Sequence, residues 1–171
     1  AEKGDGPEIP VLGGELVALG SKGEALPSDF CEPQRLAETV RELRPDVIVN
    51  AAAYTAVDKA ESEPALARQV NAVAPGVLAE EARRAGALLV HYSTDYVFDG
   101  NKTGEYTEED VPHPQSVYGS TKLAGEGAVQ ESGCRHLIFR TSWVYGTRGG
   151  NFPQAILRAA QERDRLTVVD D

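Results

Sequence analysis

The chain has 171 residues, of which 41% are hydrophobic and 26% charged, enough for one globular domain with its own core. A formal net charge of −10 leaves no general basic face for phosphates, which argues against nucleic acid as a partner. No run is apolar enough to span a membrane and no secretory signal opens the chain, so the expectation is a cytoplasmic protein with no membrane partner.

Residues 1–14 are rich in Gly, Pro and Glu and have no clear period. Glu15–Leu19 reads as a short strand, followed by Gly20-Ser21-Lys22-Gly23. Pro33 suits the first turn of a helix running to Arg44, with Leu36, Val40 and Leu43 as its apolar stripe, and Pro45 ends it. Asp46–Asn50 reads as a buried strand. Pro64 to Arg84 reads as a helix with Pro75 as a kink or break and Gly86 as its stop. Ala87–Ser93 is the next strand, residues 95–117 form a long loop, and a helix runs from about Tyr118 to Gln130. Arg135–Arg140 is a strand, Asn151–Arg163 a helix and Leu166–Val169 a final strand. Apolar strands alternating with amphipathic helices predict an α/β fold, a doubly wound parallel sheet covered on both faces, as one domain over residues 1–171. The two cysteines, Cys31 and Cys134, lie far apart and lack metal-ligand spacing, and His91, His113 and His136 form no spaced motif, so no metal site is expected.

Parallel sheets of this kind bind ligands beyond the carboxyl ends of their strands. Asn50–Ala53, Ser93–Tyr96 and Thr141–Trp143 each follow a strand and belong on that edge. Tyr118 and Lys122 are four residues apart in a predicted helix, which puts the phenol and the ammonium on one face. A free tyrosine titrates near ~10. A neighbouring cation lowers that value, and a phenol so tuned exchanges a proton with an alkoxide or an alcohol. Moving it from ~10 to ~7 takes roughly 4 kcal/mol. With the Thr94 hydroxyl holding the substrate oxygen, Thr94, Tyr118 and Lys122 suit carbonyl reduction. The bland alternatives are an exposed Tyr/Lys pair and, for Ala51–Ala53, tight packing.

The Thr94/Tyr118/Lys122 set resembles the extended short-chain dehydrogenase/reductases. Arg44–Glu61 (RPDVIVNAAAYTAVDKAE), His91–Gly100 (HYSTDYVFDG), Val117–Glu126 (VYGSTKLAGE) and Arg140–Tyr145 (RTSWVY) narrow the resemblance to the dTDP-4-dehydrorhamnose reductase family. The likeness covers about residues 15–171. It implies a Rossmann-like NAD(P)-binding domain that reduces the 4-keto group of a dTDP-4-dehydro-6-deoxy sugar with NADPH or NADH. It also implies roles by position. Thr94, Tyr118 and Lys122 would be catalytic, with Lys122 also on the cofactor ribose. Asp29 and Phe30 would flank the adenine, and Ala51, Ala52, Ala53 and Tyr54 would line the cofactor cleft. Val57, Thr94, Tyr96, Tyr118 and Trp143 would meet the sugar nucleotide.

The sequence departs from the family at both ends. The family opens on a strand, a glycine-rich loop and a helix that cradles the pyrophosphate. Here Gly4 and Gly6 follow no strand, and Gly20 stands where an acidic residue would hold the adenosine ribose. Ser21 and Lys22 beside it lean towards a 2′-phosphate, hence NADPH. The family continues into a smaller substrate domain that carries residues for Mg-assisted dimerisation, so a homodimer and its metal are expectations for the intact protein. The chain is therefore expected to be a truncated reductase domain. An NDP-sugar epimerase or dehydratase shares the Tyr/Lys pair, and a non-catalytic regulatory subunit is the reading from another class.

Overall fold

The computed structural model describes residues 14–19, 29–147, 150–163 and 165–167. Helix α1 spans Pro33–Leu43, with Pro33 in its first turn, where a missing N–H costs nothing. Leu36 and Val40, one turn apart, are buried. Arg44 ends the helix in the left-handed region at φ 46°, and its N–H bonds the Val40 carbonyl at 3.0 Å. Strand β1 is Val47–Asn50, β2 is Leu88–Thr94 and β3 is Arg135–Thr141. They pair in parallel in the order β1-β2-β3, with Asn50 opposite His91 and Thr94 opposite Thr141.

The helical stretch before β2 is more divided than its sequence suggests. A short α2 (Val57–Ser62) precedes α3 (Pro64–Arg68), a π turn occupies Gln69–Val73, and α4 runs from Ala74 to Ala85. The expected break at Pro75 is present, and the π turn is its form. Proline has no N–H for the carbonyl four residues back, and its ring collides there. A wider turn takes up the misfit. Gly86 closes α4 at φ 73°, where the sequence put the stop.

After β2, a 3₁₀ turn at Asp95–Val97 and a loop lead to α5 (Val117–Glu131). Helix α6 is Phe152–Glu162. The core gathers Leu36 and Val40 of α1, Leu78, Ala79 and Ala82 of α4, Leu89 of β2 and Val129 of α5. Phe30, Ile48 and Ile138 pack at its margin. Strands laid down in one direction with same-handed crossovers drop their helices on one face. Accordingly Leu89, His91 and Ser93 are buried beneath helices, while Val49, Tyr92, Leu137 and Phe139 on the opposite face are exposed. Helix cover on both faces was expected, and among the described residues it is found on one.

Two strand expectations need correction. Glu15–Leu19 is irregular and exposed. A strand needs a neighbour for its backbone groups, and β1 pairs with β2 alone among the described strands. Leu166 and Thr167 are likewise not in a strand, and Val168 and Val169 lie outside the described residues, as do Gly20-Ser21-Lys22-Gly23.

Candidate active site

Thr94, the last residue of β2, keeps an extended backbone and caps the 3₁₀ turn, its Oγ1 accepting from the Tyr96 N–H at 3.2 Å. The same hydroxyl donates to Asp95 Oδ1 at 3.1 Å. Ser116 caps α5 by accepting from the Gly119 N–H at 3.0 Å, which fixes where Tyr118 leaves the helix. Gly119 then lets the two turns meet. A Cβ there would stand 2.2 Å from the Tyr96 carbonyl oxygen. With no side chain in the way, Tyr118 comes near enough to Thr94 for the hydroxyl to act on the phenol. The Tyr96 ring meets the Tyr118 ring edge-on, centroids 5.5 Å apart.

Burial pushes the Tyr118 phenol above its ordinary value. The Thr94 hydroxyl works against that rise, and the charges of Asp95 and Tyr96 add to it. The phenol is thus raised where the sequence led us to expect it lowered, and Lys122 is not among the groups that shift it. The reason is where the ammonium goes. Lys122 is 1% exposed, and its Nζ donates to the Tyr92 carbonyl at 2.6 Å. Burial lowers Lys122 to about 8, with Glu126 pulling the other way. Behind it, His91 is fully buried, and its Nε2 is the one buried side-chain polar atom without a hydrogen-bond partner among the described residues. Burial first, then the Lys122 charge, hold His91 neutral, with its pKa lowered to about 4.

The loop after β1 is held from below. Asn50 Oδ1 accepts from the Ala52 N–H at 3.1 Å, and its Nδ2 meets His91 Nδ1 at 3.0 Å. Asn71, fully buried in the π turn, grips both backbone groups of Tyr54. Its Oδ1 accepts from the Tyr54 N–H at 2.8 Å and its Nδ2 donates to the Tyr54 carbonyl at 3.1 Å. The Tyr54 hydroxyl donates to Glu63 at 2.6 Å. The result is a ledge on which Ala51 and Ala52 are exposed and Ala53 half-buried. Val57 opens α2, and Glu61 of that helix accepts from the Val117 N–H at 2.8 Å, joining α2 to the start of α5.

The remaining residues expected at the site sit further out. Trp143 follows β3 and is 72% exposed, with φ 48° and its ring 5.0 Å from that of Phe152, so core packing is not its role. Asp29 accepts from the Cys31 N–H at 2.8 Å, and Phe30 packs against the core ahead of α1. Sequence reasoning gave no role to Asn71, Glu61, Ser116 or Gly119. Only Ser116 had a local signal, a hydroxyl residue just before a predicted helix. Among the described residues no group of three His, Cys, Asp or Glu is placed to hold a metal ion, and no helix is long and apolar enough to cross a membrane.

A parallel sheet whose strand ends present a threonine and a tyrosine over a buried lysine defines an α/β domain of the Rossmann-like class. The family described as RmlD substrate binding domain matches residues 11–171, and the chain belongs to it. It is 54% identical over 158 residues to the dTDP-4-dehydrorhamnose reductase of Salmonella typhimurium, covering 92% of this chain and 53% of that protein. Crystal structures of dTDP-4-dehydrorhamnose reductases are similar to it as well. The one from Clostridium acetobutylicum is 42% identical with a TM-score of 0.79, covering 82% of this chain and 50% of that one. The one from Bacillus anthracis, in complex with NADP, is 41% identical with a TM-score of 0.76, covering 79% and 48%. The chain thus spans about half the length of the curated relatives it matches.

Proposed function

We propose that the intact protein carrying this chain reduces the 4-keto group of dTDP-4-dehydro-6-deoxy-L-mannose to give dTDP-L-rhamnose, with residues 1–171 as the greater part of its NAD(P)-binding domain. The observation that carries the reading is the placement of Thr94, at the end of β2, and Tyr118, its ring 5.5 Å from that of Tyr96, at the carboxyl edge of the sheet above the buried Lys122. Thr94 holds the 4-keto oxygen and Tyr118 protonates it. The elevated Tyr118 pKa keeps the phenol protonated at neutral pH, the form an acid needs. Lys122 supplies a fixed positive charge below the site and a donor for the cofactor ribose.

The cofactor is a nicotinamide nucleotide, with NADPH preferred, and when bound it supplies the hydride to C4. The residues suit it over part of its length. Ala51, Ala52, Ala53 and Tyr54 form a ledge of small side chains on which a flat ring lies close to the backbone, and Asn71 keeps that ledge in place. Asp29 and Phe30 flank the adenine. Among the described residues no strand–glycine–helix unit offers a pyrophosphate cradle. Val57, Tyr96 and the exposed Trp143 indole face the sugar nucleotide, the indole as an open stacking surface. The identity of 54% with the Salmonella reductase supports the substrate choice.

The test is cofactor-linked turnover. The intact protein is expected to oxidise NADPH in the presence of dTDP-4-dehydro-6-deoxy-L-mannose and to release dTDP-L-rhamnose. Failure to turn over that sugar, with epimerisation or dehydration of another NDP-sugar instead, contradicts the proposal.

A further inference from the structure

Glu126 lies one turn after Lys122 on α5, on the same helix face, and is 2% exposed. Its carboxylate is fully engaged. Oε1 accepts from Ser93 Oγ at 2.5 Å and from Arg140 Nε at 2.9 Å, and Oε2 accepts from Arg140 Nη2 at 2.6 Å. Ser93 immediately precedes Thr94 on β2. Arg140 immediately precedes Thr141 on β3, and Thr141 Oγ1 donates to the Ser93 carbonyl at 3.2 Å. The Arg140 guanidinium also lies over the Phe98 ring, 5.0 Å from its centroid. One carboxylate therefore ties the helix that carries Tyr118 and Lys122 to the strand end that carries Thr94.

We infer that Glu126 is a positioning residue for this site, locking α5 to the ends of β2 and β3 through Ser93 and Arg140 and standing as the counter-charge to Lys122. The inference rests on the role proposed above for Lys122. Its logic is in how the partners are shared. Glu126 is saturated by Ser93 and Arg140, and the Lys122 ammonium bonds the Tyr92 carbonyl instead. Lys122 thus feels the negative charge through a dry interior without spending a donor on it. An ammonium has three N–H donors, so two remain for a ligand.

The other groups facing Lys122 do not replace this charge. His91 on β2 is held neutral. Tyr118 on α5 stays protonated well past neutrality. Arg140 on β3 is a cation, and its side chain is 24% exposed, so it can turn to water if the carboxylate is lost. Lys122, at 1% exposure, has no such exit. Without the carboxylate, its remaining response is to give up its proton.

The experiment compares Glu126→Gln and Arg140→Gln in the intact protein, following the Lys122 side chain by NMR titration and recording kcat/KM against pH. The parent midpoint is expected near 8. Glu126→Gln keeps the shape and removes the charge, so the midpoint should fall by one pH unit or more, about a tenfold change in the protonation constant. Arg140→Gln leaves the carboxylate unopposed, so the midpoint should rise. Opposite shifts from the two variants are not what general damage to the fold would give. The alkaline limb of the rate profile should move with each midpoint. Unchanged Lys122 midpoints, or shifts of the same sign, overturn the inference. Shifted midpoints with an unmoved rate profile uphold the charge coupling and overturn the role given to Lys122.

Discussion

Lys122 is an ammonium with 1% of its surface exposed, and the fold bears a cost for keeping it there. Its folded-state pKa of about 8 lies below the ordinary lysine value of 10.5, so the folded state holds its proton less tightly than the unfolded state does. By linkage, stability should rise as pH climbs from about 8 towards 10.5, and the full penalty applies below pH 8. At 1.36 kcal/mol per unit the penalty is roughly 3 kcal/mol, less about 1 kcal/mol for the bond to Tyr92. Lys122→Met is therefore expected to stabilise this chain at pH 7 by about 1–3 kcal/mol, with the gain fading towards pH 10. Chemical denaturation at the two pH values checks this, and a variant less stable at pH 7 contradicts it. At this scale the sequence disclosed the pair Tyr118 and Lys122, because helical spacing is local. It did not disclose that the ammonium turns to the Tyr92 carbonyl, nor that Glu126 answers to Ser93 and Arg140. Those choices depend on strands 14 to 33 residues away in sequence.

Helix α5 touches its neighbours at two glycines. At Gly119 an added Cβ would stand 2.2 Å from the Tyr96 carbonyl, and at Gly125 it would stand 2.1 Å from the Asn71 carbonyl. Both obstacles are backbone, so the helix itself must move. Gly125→Ala is expected to destabilise the chain by about 1–3 kcal/mol. Gly119→Ala parts Tyr118 from Thr94 and should lower kcat of the intact protein at least tenfold, more than it lowers stability; equal kcat in variant and parent would show that the contact does not set the site. Asn71 is the third fixed point. Asn71→Ala leaves two half-buried backbone groups of Tyr54 without partners, so cofactor affinity should fall with a stability loss of about 1–3 kcal/mol. Calorimetric titration with NADPH alongside thermal melts separates the two effects. Helix α4 and its glycine stop were legible because Gly86 is local punctuation. The π turn was legible only as a break at Pro75. Its form depends on Asn71 being needed beneath Tyr54, and periodicity carries no trace of that.

For the whole molecule, the parallel order of β1, β2 and β3 could be read from alternating apolar strands and amphipathic helices. Glu15–Leu19 has the same composition as those strands, yet it pairs with nothing among the described residues. An apolar run is a strand only where a neighbour receives it, and a single sequence does not say which edges are taken. The carboxyl edge was legible too, since Asn50, Thr94 and Thr141 close three parallel strands, with Thr94 and Thr141 side by side and Asn50 beside His91, earlier on β2. The central claim is that this edge reduces a ketone with Tyr118 as its acid. The most direct measurement is the steady-state rate of the intact Tyr118→Phe variant on dTDP-4-dehydro-6-deoxy-L-mannose, with NADPH affinity measured in parallel. A positioned acid contributes ~10²–10⁴-fold, so kcat should fall by at least ~10² while NADPH binding stays within about threefold. A variant that retains a tenth of the parent rate would contradict the account.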